Sequence, residues 1–199
     1  MSDTYLSIAK LSTGIYKSKG SKFLAFAIPV SDEDSIKMQV TLLKKKYHDA
    51  RHHCYAYIIG YQAEQFRVND DGEPSGTAGR PIHGELRSRN LTNVLVVVVR
   101  YFGGTLLGTS GLIKAYKEAA ADALNNAEIV QQTVMTELLV QFLYEKTGDV
   151  MKILKECNAG IVEHRADNLS VIRFNIRQSQ TDNVLYRLSE VCENKGDRM

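Results

Sequence analysis

This chain of 199 residues lacks most of the patterns that announce chemistry or location. Its three cysteines, Cys54, Cys157 and Cys192, are odd in number and scattered among predicted regular elements, which argues against a disulfide framework and for reduced, buried thiols. No segment approaches the ~18 consecutive apolar residues of a membrane-spanning helix. The polar start Met1-Ser2-Asp3-Thr4 is no signal peptide, so a cytoplasmic protein without membrane contact is expected. An excess of one charge is also missing: the formal net charge is +2 and the pI near 8.3, too balanced for a global electrostatic argument for nucleic acid. Dividing the chain near residue 130 leaves 16 Lys and Arg against 13 Asp and Glu before it and 9 against 10 after it, so the first part is the better candidate for an anionic partner. His52-His53-Cys54 has no second Cys/His cluster to complete a tetrahedral metal site, and neither metal nor cofactor is expected. There is no nucleophile elbow, no triad order, no long-period repeat and no low-complexity segment.

What is present is organised around Asn93 to Ala127. Val94 to Val99 is an apolar run without polar alternation, which predicts a central strand buried on both faces. Arg100-Tyr101-Phe102 follows, then the glycine loop Gly103 to Gly111. From Leu112 the spacing of Leu112, Ala115, Tyr116, Ala119 and Ala123 is one face of a helix, with Thr109 or Ser110 as N-cap. A glycine loop feeding a helix N-terminus aims unpaired N–H groups and the positive dipole end at one point, and Arg100 and Lys114 flank it. That arrangement suits an anion. A tight strand-to-helix crossing asks for the same glycines, and both readings stand. Gly103 to Gly108 has the gap of a Walker A loop, but Thr109 occupies the lysine position, and no G-x-G-x-x-G is present. Gly108-Thr109-Ser110-Gly111 has the form of a GXXG nucleic-acid loop, a short pattern that also arises by chance.

Taken in order, residues 5–16 and 22–30 read as a hairpin, and a helix follows with Ser31 as N-cap, Asp34 in capping-box position and Ile36, Val40, Leu43 and Tyr47 on one face. Arg51 to Gly60 is a strand, and Phe66 to Asn69 a short one. Asp70-Asp71-Gly72-Glu73-Pro74 offers three carboxylates to a cation or to acid–base work, while turns select the same residues for backbone geometry. A helix with Pro81 in its first turn buries Ile82 and Leu86 and carries Arg80, Arg87 and Arg89. A two-layer domain then ends near Ala127, and residues 125–132 read as a linker. Beyond it a strand, a helix, a hairpin across Ala166-Asp167-Asn168 and a last helix form a ferredoxin-like unit without its final strand.

Three blocks carry a resemblance that spans essentially the whole chain: Arg51-His52-His53-Cys54, Asp70-Asp71-Gly72-Glu73-Pro74-Ser75-Gly76-Thr77-Ala78-Gly79, and Val99-Arg100-Tyr101-Phe102-Gly103-Gly104-Thr105-Leu106-Leu107-Gly108. In order and spacing they resemble the Impact/YigZ family, in its bacterial-type two-domain form. The resemblance implies an α+β chain of two domains. Residues 1–129 form an α/β sandwich similar to the second domain of ribosomal protein S-five, and residues 130–199 a ferredoxin-like domain similar to the fifth domain of the ribosomal translocase. Eukaryotic members regulate translation by competing for the activator of a starvation-responsive kinase, through an additional N-terminal domain that this sequence does not show. The carried-over positions are Asp71, Gly72, Glu73, Pro74, Gly76, Thr77 and Gly79 in the turn, and Arg100, Gly103, Gly104, Gly108 and Gly111 around the loop.

The expectation is therefore a non-catalytic binder of RNA, on or near the ribosome, with a role in regulating translation. Arg100, Lys114 and Arg80, with Arg87 as a further candidate, and backbone N–H groups of Gly103, Gly104, Gly108 and Gly111 would hold phosphates. Tyr101 or Phe102 would stack on a base if exposed. The alternatives are an enzyme acting on a small anionic or phosphorylated substrate with Asp70, Asp71 or Glu73 as base or metal ligand, and a protein-binding adaptor that uses the C-terminal sheet edge. A pocket joining the turn to the glycine loop favours the enzyme, and an open basic face favours RNA.

Overall fold

In the computed structural model, which describes residues 3–192 and the backbone of 197–198, the chain divides into two units. Tyr5–Gln132 form one; the described residues from Thr133 onward, with Asp3 and Thr4, form the other. The first unit runs β1 (Thr4–Ile8), β2 (Ser12–Ser18), β3 (Ser21–Pro29), α1 (Glu33–Lys46), β4 (His52–Ile59), β5 (Gln65–Asn69), α2 (Gly79–Ser88), β6 (Val94–Tyr101), α3 (Gly108–Asn125) and β7 (Ile129–Thr133). Five strands make one antiparallel sheet in the order β2-β3-β6-β4-β5, and β6 stands at its centre.

The unbroken apolar run of β6 requires cover on both faces, and it has it. Val94, Val96 and Val98 face a core shared with Ile82 and Leu86 of α2 and with the alanine face of α3. Leu95, Val97 and Val99 face Ile36 and Leu43 of α1. The sheet thus has helices on both sides, where the sequence reading had two layers. Burying each of these side chains contributes roughly 1.5–3 kcal/mol before chain entropy is counted.

Other local expectations shift in physically simple ways. The predicted strand over 5–16 is two strands: β1 leaves to pair with β7, so the stretch read as a linker contains a strand. The break falls where Ala9, Lys10 and Leu11 turn to solvent between the buried Ile8 and Ser12. β2 then lies directly on α3, because Gly14 lets its backbone approach Ala123, and the Ser12 hydroxyl donates to the Ala123 carbonyl at 2.8 Å. The cap of α1 is Asp32 rather than Ser31, in a capping box with Ser35, whose hydroxyl supplies what Asp34 was expected to supply. α3 begins one turn earlier than expected, at Gly108 behind Leu107, so neither Thr109 nor Ser110 caps it.

The second unit contains β8 (Met135–Leu143), α4 (Thr147–Glu156), β9 (Gly160–Arg165), β10 (Leu169–Arg177), α5 (Thr181–Val191) and β11 (Asp197–Arg198). Its antiparallel sheet has the order β11-β8-β10-β9. Leu138, Val140, Phe142, Ile172, Phe174 and Ile176 point from one face into a core with both helices. The missing final strand was an incorrect expectation: β11 pairs with β8 through Asp197 opposite Leu139 and Arg198 opposite Leu138. Two residues are too few for a strand pattern to show in sequence. Residues 193–196 and 199, the rest of the stretch after the last helix where a final strand was not expected, lie outside the described residues. Among those described, no helix is long and apolar enough to cross a membrane.

Candidate functional site

The register of the central sheet places His52 of β4 opposite Arg100 of β6, on the face that carries α3. The acidic turn folds over this end of both strands, and each of its carboxylates has a separate task. Asp70 accepts from the N–H groups of Gly76 at 2.8 Å, Ala78 at 3.1 Å and Gly79 at 2.8 Å, and so caps α2 from outside the helix. Burial alone would raise its pKa, but these three donors outweigh it and hold the carboxyl below the usual range. Asp71 accepts from the His53 N–H at 2.7 Å and from Lys44 Nζ at 2.8 Å, and those donors likewise overcome burial and depress its pKa. Asp71 sits in the left-handed region at φ 40°, and its carbonyl lies 2.8 Å from His52 Nδ1. Thr77 and Gly79 serve the same turn: the Thr77 hydroxyl donates to the Pro74 carbonyl, and a side chain at Gly79 would strike Asn69.

Glu73 is the third carboxylate and the most buried. Its Oε1 accepts from Arg100 Nη1 at 2.6 Å and from the Tyr116 hydroxyl at 2.8 Å, with His52 Nε2 3.8 Å away. The Arg100 side chain is only 7% exposed and lies against Phe23 and Phe102, its guanidinium carbon 5.5 and 5.7 Å from their ring centres. Its Nε is buried without a hydrogen-bond partner among the described residues. Behind this pair, Cys54 Sγ lies 3.0 Å from the Asp70 carbonyl and 3.3 Å from the Tyr116 hydroxyl. Burial pushes both the Cys54 thiol and the Tyr116 hydroxyl up, so both remain protonated and Cys54 is no nucleophile. Because a carbonyl only accepts, His52 Nδ1 carries a proton toward Asp71, and Nε2 is the nitrogen turned to Glu73.

A cavity of about 470 Å³ opens in front of this network. Arg51, His52, Glu73 and Arg100 form its polar side, and Phe102, Leu106, Leu107 and Leu112 its apolar wall. Gly108 and Thr109 bring the start of α3 to its edge. That helix end has no side-chain cap and no acidic residue in its first turn, so its leading N–H groups and dipole are available to an anion. Gly104 and Gly108 have φ of 85° and 70° and open space where a side chain would stand, so backbone conformation is what calls for glycine.

The expected site residues divide into those at the cavity and those elsewhere. Glu73, Pro74, Arg100 and Gly108 line it together. Gly103 instead packs backbone to backbone on Gly20, and its N–H donates to the Ser21 hydroxyl. Gly111 stands in the first turn of α3 against Leu107, and Gly76 lies beside the Arg80 side chain. Arg80 and Lys114 are exposed on α2 and α3 and do not line the cavity. Of the two aromatics considered for stacking, Phe102 is exposed at the cavity, whereas the Tyr101 hydroxyl donates to Asp49. Sequence reasoning missed Arg51 as a lining cation and Tyr116 as a polar partner. A tyrosine in an otherwise alanine-rich helix face was the available signal for the second.

A family model described as the Impact N-terminal domain matches residues 19–124, which include every residue of the cavity. The chain belongs to the Impact family. It is 33% identical to the IMPACT family member YvyE of Bacillus subtilis (strain 168) over 178 residues, 89% of this chain and 82% of that one. The IMPACT family member YigZ of Escherichia coli (strain K12) is also 33% identical, over 162 residues, 80% of this chain and 79% of that one. A crystal structure of an hypothetical protein matches with a TM-score of 0.75 at 28% identity, across 99% of this chain and 97% of that one. These Impact relatives therefore align over both units of the fold.

Proposed function

We propose that this Impact-family protein is a non-catalytic RNA-binding protein of the translation apparatus, and that its cavity takes one unpaired nucleotide unit. The observation that carries the reading is the cavity's two-sided chemistry. A phosphate suits Arg51 and the uncapped start of α3, and a base suits Phe102 and Leu106. A volume of about 470 Å³ suits a small ligand and not a duplex. Arg100 has a different role from the phosphate contact expected of it: it neutralises Glu73 and holds the cavity floor.

A second reading, an enzyme acting on a small anionic or phosphorylated compound, draws support from the cavity itself, which joins the acidic turn to the glycine loop. It also draws on His52, which lines the cavity with its Nε2 3.8 Å from Glu73, in position for acid–base work. One experiment separates the two. Co-sedimentation with ribosomal particles across a salt series should show saturable binding that weakens with salt. Arg51→Glu and Thr109→Glu should each reduce it at least tenfold by placing negative charge at the phosphate position, while His52→Asn should leave it intact. No sedimentation at low salt would sink the RNA reading, and turnover of a phosphorylated compound that His52→Asn abolishes would establish the enzyme.

A further inference from the structure

α2 presents to solvent a row of residues for which the fold has no use. Arg80, His83, Gly84 and Arg87 recur at spacings of three and four, one stripe of the helix, opposite the buried Ile82, Glu85 and Leu86. From the edge strand β5, Phe66 lies on the His83 ring, with centroids 4.6 Å apart and planes at 27°, yet Phe66 remains 61% exposed. Arg89 and Lys117 nearby are held by Glu85. Arg80 and Arg87 make no ion pair among the described residues, and Arg80 acts on Asp70 only at a distance.

Gly84 is the second observation. Glycine inside a helix is less stable than alanine, and it persists where backbone conformation or close packing demands it. Neither demand exists here: Gly84 is helical, it is not among the residues with positive φ, and a side chain built there meets nothing within 4 Å. The glycine leaves an open notch between two unpaired arginines and beside an exposed aromatic stack. Burial, and then the charge of Arg87, lower the proton affinity of His83, so its ring stays neutral under Phe66 at neutral pH.

We propose that single-stranded RNA crosses α2 at this place, with one base stacked on Phe66, flanking phosphates on Arg80 and Arg87, and the sugar–phosphate chain passing over Gly84. The inference rests on the RNA-binding reading and adds a second contact to it. A duplex would not serve, because its bases are not free to stack on Phe66. The arginines supply the charge complement, and stacking without base-edge contacts implies little sequence preference.

The chain contains no tryptophan, so Phe66→Trp introduces a single tryptophan, at the stack, whose emission is excited selectively over that of the tyrosines. Titrating that full-length variant with a short oligoadenylate should quench its emission saturably. By anisotropy with the labelled oligoadenylate, Phe66→Ala should bind roughly tenfold more weakly. Gly84→Gln should bind several-fold more weakly while unfolding at a higher temperature, a combination that a damaged fold cannot produce. Binding unchanged in both Phe66→Ala and Gly84→Gln, or a duplex RNA bound as tightly as the single strand, would overturn this inference and leave the cavity reading intact. Failure of the wild type to bind either oligoadenylate or ribosomal particles would overturn both.

Discussion

Asp70–Gly79 and Tyr101–Gly108 each lead from a strand into a helix, each is rich in glycine, and each was expected to carry charge-dependent chemistry. They end in opposite states. In the first, Asp70 answers three backbone donors, Asp71 answers His53 and Lys44, and Glu73 answers Arg100 and Tyr116. In the second, Gly103 is anchored on Gly20 and Ser21, and beyond it the backbone runs exposed into an uncapped helix. A loop that closes over a sheet end must satisfy its polar groups internally, whereas an exposed one can leave them for water or a ligand. The acidic turn is therefore scaffold, and the glycine loop is the part with unused hydrogen-bonding capacity.

Three perturbations test that contrast, beginning with the largest effect. Arg100→Ala should destabilise the protein by about 3–5 kcal/mol, because it leaves Glu73 charged, buried and without its cation. Urea denaturation measures this, and a loss below about 1 kcal/mol would mean that water reaches Glu73 and that the turn is not closed scaffold. The two adjacent glycines of the second loop should differ next. Gly103→Ala forces a methyl into the backbone of Gly20 and should cost about 3 kcal/mol. Gly104→Ala meets open space and should cost only about 1 kcal/mol for its positive φ. Equal losses in thermal unfolding would erase the division between anchored and free parts of the loop.

The smallest effect is on pH dependence. Asp70 and Asp71 have native pKa values below the unfolded 3.8, so the stability they contribute is complete above that pH and disappears as pH falls through the native values. His53 is held neutral by burial, with its native pKa below 6.5. Its contribution is therefore lost first, as pH falls from 6.5 toward the native value, and then levels off. Acid titration of unfolding midpoints should show both steps, with His53→Gln reducing the upper, which His83 shares, and Asp70→Asn reducing the lower. A single step unaffected by either variant would show that these groups are not engaged as described.

Local pattern made much of the fold legible. The Val94–Val99 run announced a doubly buried strand, the spacing of Leu112, Ala115, Tyr116 and Ala119 announced the helix laid on it, and Pro81 with Ile82 and Leu86 located α2. Each of these rests on a pattern contained within one element, an unbroken apolar run, a helical spacing or a first-turn proline, which burial and backbone geometry impose locally. Elements defined by distant partners were less legible. β1 looks continuous with β2 until β7 takes it, and β11 exists only because β8 offers an edge.

The site divides in the same way. The residue types of the Asp70–Gly79 and Arg100–Gly108 blocks, and with them membership of the Impact family, are properties of the linear chain. Which of those charges faces a ligand is not. Arg100 reads as a phosphate contact beside a glycine loop, but Glu73, 27 residues away, claims it in the interior. Arg51 stands in one of the blocks that carry the resemblance, which assigns it no role, and it becomes a lining cation of the cavity. Pairing of buried charges depends on which strands are neighbours and in what register. Those distances are fixed only when the sheet closes, where burial makes an unpaired charge far more costly than it is in water.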